Sequence, residues 1–197
     1  MVKGLYLPAD PSESIEERNF NSLADYQAAV GGWVEGVDIP ALGATIYVND
    51  EGIMRHLPFN ARASFLWWFH VPEARGAAML VGNAVLVGMP DKDGETTDVP
   101  AQVVERLLGP RLYAVALHAG VDSAWIKGER GGLLNHIVMP LAHGDPTWLV
   151  SDARFDDYTD AIAWAMLIAE RGAVGTVGIT IVDDSNKDSR ISLRVVE

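Results

Sequence analysis

Cysteine is absent from all 197 residues. Its absence excludes disulfides, thiolate metal sites, iron–sulfur clusters and a cysteine nucleophile together, and any metal would have to rest on histidine and carboxylates. No run of about 18 consecutive apolar residues occurs, so the sequence offers no membrane-spanning helix. The opening Met1–Tyr6 has one lysine and is soon interrupted by Pro8 and Asp10, too short an apolar run for a secretory leader. A cytoplasmic protein is expected. Basic side chains are scarce, 15 against 27 acidic, and the net charge of −12 disfavours non-specific contact with nucleic acid phosphates. Residues 1–98 carry 14 of the acids and 6 of the bases, so the acidity is concentrated at the front. Walker, GxGxxG, GxSxG and HExxH signatures are all missing, so no cofactor is implied and a non-enzyme is expected.

What is present reads as a folded chain, 49% hydrophobic and 21% charged. Val2–Leu7 is predicted as a strand and Pro8–Glu17 as an acidic loop. Ser22 and Asp25 mark a capped helix start, with Tyr26, Ala29 and Val30 on one face and Gly31-Gly32 as its stop. Period-two alternation predicts strands over Trp33–Ile39 and Ala44–Val48, the second turning through Asn49-Asp50-Glu51-Gly52 into a return strand Ile53–Leu57. Asn60 is the expected cap of a helix Ala61–Phe69, followed by a strand Ala78–Val87. Beyond the polar turn Asp91–Gly94, a helix Ala101–Leu108 stops at Gly109-Pro110. Strands follow at Leu112–Leu117 and Leu133–Met139. The tail reads as a βαββ unit: strand Trp148–Val150, helix Asp156–Arg171, and strands Thr176–Val182 and Arg190–Val196. That last helix is apolar nearly all round, which predicts packing on more than one side.

The fold class expected is therefore α/β of the α+β kind: an N-terminal helix with an antiparallel β-meander, a C-terminal βαββ unit, and mixed or antiparallel sheets. A soft boundary in residues 91–100 divides it into domains 1–98 and 99–197, with packing as one unit left open.

Four ordered pieces of the front half resemble the domain of unknown function 3846, a family of phages, plasmids and other mobile elements. They are Tyr26–Val37 (YQAAVGGWVEGV), the hairpin Tyr47–Gly52 (YVNDEG), Leu57–Ser64 (LPFNARAS) and the strand Leu80–Gly88, together spanning about residues 22–90. Ser64 stands where the family usually has Thr, and Asn83 where it usually has Asp. Phe65–His70 is inserted where the family is shorter. The family has no established activity, so the resemblance implies a mobile-element setting and no mechanism.

The run Phe65-Leu66-Trp67-Trp68-Phe69 is the most unusual local feature. Neither a helix nor a strand can turn every one of these rings inward, so at least one is expected in solvent, where aromatics anchor contacts. Phe65, Trp67, Trp68 and Phe69 are thus the candidate partner-binding residues; a homodimer seam or a two-sided core would also accommodate them. Lys127 and Arg130 lie in a glycine-rich loop whose N–H groups can nest an anion, His118 ends a strand and His136 lies within the strand expected over 133–139. These four are the candidate ligand-binding residues, against the plainer reading of a flexible connection and hydrogen-bonded histidines. No histidine pair has helical spacing, and no metal is expected. Asp183–Asp188 offers hard oxygens but lacks the glycine of a calcium loop, so a solvated turn is the better reading. Glu35, Asn49, Glu51 and Asn60 are polar residues that a meander could gather into a site, but the better reading is structural: turn and cap roles for the asparagines and the solvent side of a strand for Glu35.

The function expected is that of a phage or mobile-element accessory protein that binds a host protein and interferes with defence or replication. The alternative is a small enzyme or ligand-binding protein with a pocket between the halves.

Overall fold

The computed structural model describes residues 1–119, 138–140, 148–151, 153–170 and 176–184. The chain divides into two compact units, Met1–Gly109 and Pro110–Glu197. The division falls after the helix at 101–108 and not in the polar turn ahead of it, so that helix belongs to the first unit. Both units combine helices with antiparallel sheets, an α+β architecture. Among the described residues no helix is long and apolar enough to cross a membrane.

The first unit is built on a five-stranded antiparallel sheet of β1 (Val2–Leu7), β2 (Glu16–Phe20), β3 (Val34–Ile39), β4 (Ala44–Asn49) and β5 (Ala84–Gly88), in the order β2-β1-β5-β4-β3. β3, β4 and β5 form the expected meander, and β1 joins it beside β5. The pleat sends Leu5, Ile46 and Leu86 to one face and Tyr6, Tyr47 and Val85 to the other. On the second face, α1 (Leu23–Val30) packs through Tyr26 and Val30 into a cluster with Tyr6, Phe20, Val85 and Val87. Eight residues are too few for an independent helix, so its stability comes from this burial, about 1.5–3 kcal/mol for a side chain such as Val30. Gly31 ends α1 at φ 78°, its N–H donating to Gln27 O at 2.8 Å. At the other end the Asp25 carboxylate accepts from the N–H groups of Asn21 (2.6 Å) and Ser22 (3.0 Å).

Three expectations fail, each because of pairing. Residues 53–57 do not return as a strand: β3 and β5 already occupy both edges of β4, and the chain coils into a turn instead, with Leu57 N–H on Gly52 O at 3.0 Å. The strand expected over 78–87 begins only at Ala84, because Gly82 takes φ 73° and Val81 makes a lone bridge to Phe59. Conversely, the loop expected over Pro8–Glu17 gives way at Glu16 to a strand that runs to Phe20. As an edge strand it buries only Phe20, so no apolar alternation marks it; the Arg18 guanidinium lies 3.6 Å over the Tyr6 ring.

α2 (Ala61–His70) and α3 (Ala101–Leu108) complete this unit. In the second unit, β6 (Tyr113–Ala119), β7 (Val138–Pro140), β8 (Trp148–Ser151) and β9 (Thr176–Asp183) form an antiparallel sheet ordered β7-β8-β6-β9. α4 (Tyr158–Glu170) packs on β6 and β9 and buries Tyr158, Ala161, Ile162, Ala165, Met166 and Ile168. It leaves Asp160 and Leu167 exposed, seven residues apart on one stripe, so its apolar circumference is not enclosed on every side. The expected strand 190–196 lies outside the described residues, as does most of 133–139.

Candidate functional site

Asn60 fixes α2 from three directions. Its Oδ1 accepts from Ala63 N–H at 3.0 Å as the helix cap, while Nδ2 donates to Leu7 O (3.0 Å) and Gly82 O (2.9 Å). The residue is fully buried, so these bonds replace water entirely. One turn later the buried Ser64 hydroxyl donates to Leu80 O at 3.1 Å and accepts from Leu80 N–H at 3.0 Å. Together they bind the start of α2 to β1 and to the segment before β5. The Leu-Pro-Phe-Asn stretch is therefore a structural joint.

The rest of α2 carries the aromatic run. Ala63, Ser64 and Leu66 are its buried residues, whereas Phe65, Trp67, Trp68 and Phe69 are all half-buried. None of the four rings stands fully in solvent, a correction to the expectation drawn from periodicity. The exposed apolar side chains are instead neighbours: Phe59 at 41% and Met79 at 48%. Phe59 closes a triangle with Phe65 and Trp68, ring centroids 6.1, 6.0 and 5.8 Å apart. The Trp68 indole N–H donates to Ala78 O at 2.8 Å, which fixes the ring against the segment that carries Met79. Phe69 meets His70 edge-on at 5.1 Å. Burial, then the Arg106 charge, push the His70 imidazole down to about 4, so it is neutral at physiological pH.

The sequence candidates distribute as follows. Phe65 and Trp68 come together; Phe59 was missed, although its place immediately before the cap, where a side chain often staples onto the first turns, was a legible signal. Asn49 is buried, donating to Val30 O at 3.3 Å and accepting from Glu51 N–H at 3.0 Å, a turn role like the one expected. Asn49 pairs with Val34 and Glu35 with Val48, so Asn49 and Glu35 project to opposite sheet faces and share no site. Lys127, Arg130 and His136 lie outside the described residues, and for His118 the backbone alone is described, in β6 opposite Trp148 and Gly178. Asp183 and Asp184 are engaged by Arg111 and Arg154, which makes them ion-pair partners. Among the described residues no three histidines or carboxylates cluster as a metal site would.

Comparison with known proteins finds a family-model match over residues 3–110, to a domain of unknown function, DUF3846. The match reaches beyond the motifs at 22–90 to include β1, β2 and α3, and it coincides with the first compact unit almost residue for residue. No curated protein and no solved structure matches the chain. The match ends at residue 110 and so does not extend over the second unit. Through its first unit, which holds the Asn60 joint and the aromatic cluster on α2, the chain belongs to the domain of unknown function 3846 family.

Proposed function

We propose that this protein is a non-enzymatic accessory protein of a phage or other mobile element, acting in the host cytoplasm by binding a host protein and so interfering with defence or replication. The observation that carries the reading is the Phe59–Phe65–Trp68 triangle, whose Phe59 is exposed, together with exposed Met79 next in the chain to Ala78, the residue Trp68 bonds. Rings held by one another and by the Trp68–Ala78 hydrogen bond offer contact area at little further cost in side-chain entropy, as protein-binding anchors do. The net charge of −12 supplies long-range attraction to a basic partner surface. The mobile-element setting rests on the resemblance of the first unit to a phage and plasmid family. The alternative of a pocket between the halves relies on Lys127, Arg130, His118 and His136, whose side chains lie outside the described part.

The test is affinity capture from bacterial lysate with wild type and Phe59→Ser side by side. Phe59 is sufficiently exposed for that substitution to leave the fold intact. A host protein retained by the wild type, lost with Phe59→Ser and weakened by salt supports the reading. Equal capture by both proteins sinks this surface as the contact.

A further inference from the structure

A second feature of the first unit shares no residue with the α2 surface. Where α1 begins on the sheet, Phe20, Tyr26 and Tyr47 wall a hollow of about 440 Å³. Phe20 and Tyr26 are stacked with centroids 4.7 Å apart, and Tyr47 meets Tyr26 edge-on at 5.3 Å. Two glycines let these rings settle onto bare backbone: a Cβ on Gly4 would lie 3.0 Å from Phe20 Cε2, and one on Gly36 3.0 Å from Tyr47 Cε1. The Tyr47 hydroxyl is hydrogen-bonded to Thr96 Oγ1 at 2.9 Å, which ties the 91–97 segment to the wall and brings Glu95 to the lining.

The side chains lining this hollow carry charge of one sign: the Glu95 carboxylate is there with no lysine, arginine or histidine, and the α-amino group of Met1 is the one cation at the lining. Tyr26 is more than nine-tenths buried, and its hydroxyl has no hydrogen-bond partner among the described residues. Burial first, then Tyr47, Asp25 and Asp98, push that phenol up to about 12, so it remains a neutral hydroxyl able to donate and to accept. Carboxylates around aromatic walls repel anions. They attract cations, which the ring faces also favour.

We propose that this hollow binds an organic cation, an ammonium or guanidinium group on an apolar stem. The charged head lies between Glu95 and the Tyr26 and Tyr47 rings, and the stem lies along Leu23 and Val34, which also line the hollow. The Tyr26 hydroxyl, with no hydrogen-bond partner among the described residues, is the acceptor that an N–H of the bound head would satisfy. The volume suits a small molecule or a single basic side chain. Those are two sources of one chemistry: a free amine, or an arginine or lysine presented by a protein.

The test titrates the full chain with agmatine, with N-acetyl-arginine amide and with the neutral isostere N-acetyl-citrulline amide, following the ring-proton NMR signals of Phe20, Tyr26 and Tyr47. Saturable shifts with both guanidines and none with the citrulline compound are expected. Tighter binding of agmatine points to a free amine, and tighter binding of the capped arginine points to a protein side chain. Glu95→Gln, a surface change, is expected to weaken binding about three- to fivefold at low salt, a difference that closes at high salt. Tyr26→Phe keeps the ring and should weaken binding about tenfold without loss of folding. Equal binding of the citrulline compound, or an unchanged affinity in Glu95→Gln, overturns the proposal; an unchanged affinity in Tyr26→Phe removes the phenol from it. Failure here leaves the capture experiment on Phe59 unaffected, and the reverse holds too.

Discussion

The two halves of α2 invert the usual placing of polar and apolar groups. Its first turn buries an amide and a hydroxyl completely, Asn60 and Ser64, while its second half leaves Phe65, Trp67, Trp68 and Phe69 partly in solvent. The polar groups are affordable inside because each has partners: Asn60 makes three side-chain hydrogen bonds and Ser64 two. The rings are tolerated outside because they cover one another. Burial along this helix is therefore set by hydrogen-bond satisfaction at one end and by mutual ring contact at the other, and hydrophobicity alone orders neither.

The comparison breaks first at Asn60. Asn60→Ala strands Ala63 N–H, Leu7 O and Gly82 O together, and is expected to cost about 3–4 kcal/mol, read as a lowered urea midpoint with unchanged slope. Ser64→Ala leaves both polar groups of Leu80 without their hydroxyl, for a loss of about 1–2 kcal/mol in the same assay. Phe59→Ser, at the ring end, should cost about 1–2 kcal/mol, less than Asn60→Ala, while abolishing partner capture, since the side chain is only partly buried. If instead it costs as much as Asn60→Ala, the rings belong to the core and the contrast between the two ends disappears.

The smallest effect tests His70, at the end of the helix. Its folded value near 4 lies below the ordinary 6.5, so the unfolded chain takes up its proton first as pH falls. Its contribution is fully present above pH 6.5 and is lost as pH falls from there toward 4. His70→Gln should accordingly flatten the decline of the urea midpoint across that window relative to wild type, with the carboxylates common to both chains. Identical profiles would mean that His70 is no more sheltered in the fold than in the unfolded chain.

What was legible in the sequence was local. The Gly31 stop of α1, the Asn60 cap, the alternation of β3 and β4 and the extent of α3 each depend on a few adjacent residues, and all appear where the pattern put them. β2 was illegible because an edge strand buries one residue in five, Phe20, and so carries no alternation. Residues 53–57 look like a strand in isolation, yet no edge of β4 remained for them. The aromatic run was recognised as unusual, but its partition into a Phe59–Phe65–Trp68 triangle and a Phe69–His70 pair depends on how α2 is anchored. The hollow was invisible for the same reason: Phe20, Tyr26 and Tyr47 are unremarkable singly and meet only through the strand order.

The sequence by itself determined the elements whose causes are short-range: caps, glycine stops, periodicity, the absence of cysteine chemistry, and the likeness of the front half to a family of unknown function. Only the tertiary structure decided which strand edges were taken, that the first compact unit extends through α3 to Gly109, and which rings face one another. The physical reason is that a strand's partners and a ring's neighbours are chosen by competition among segments far apart in the chain, and no local pattern records the outcome of that competition.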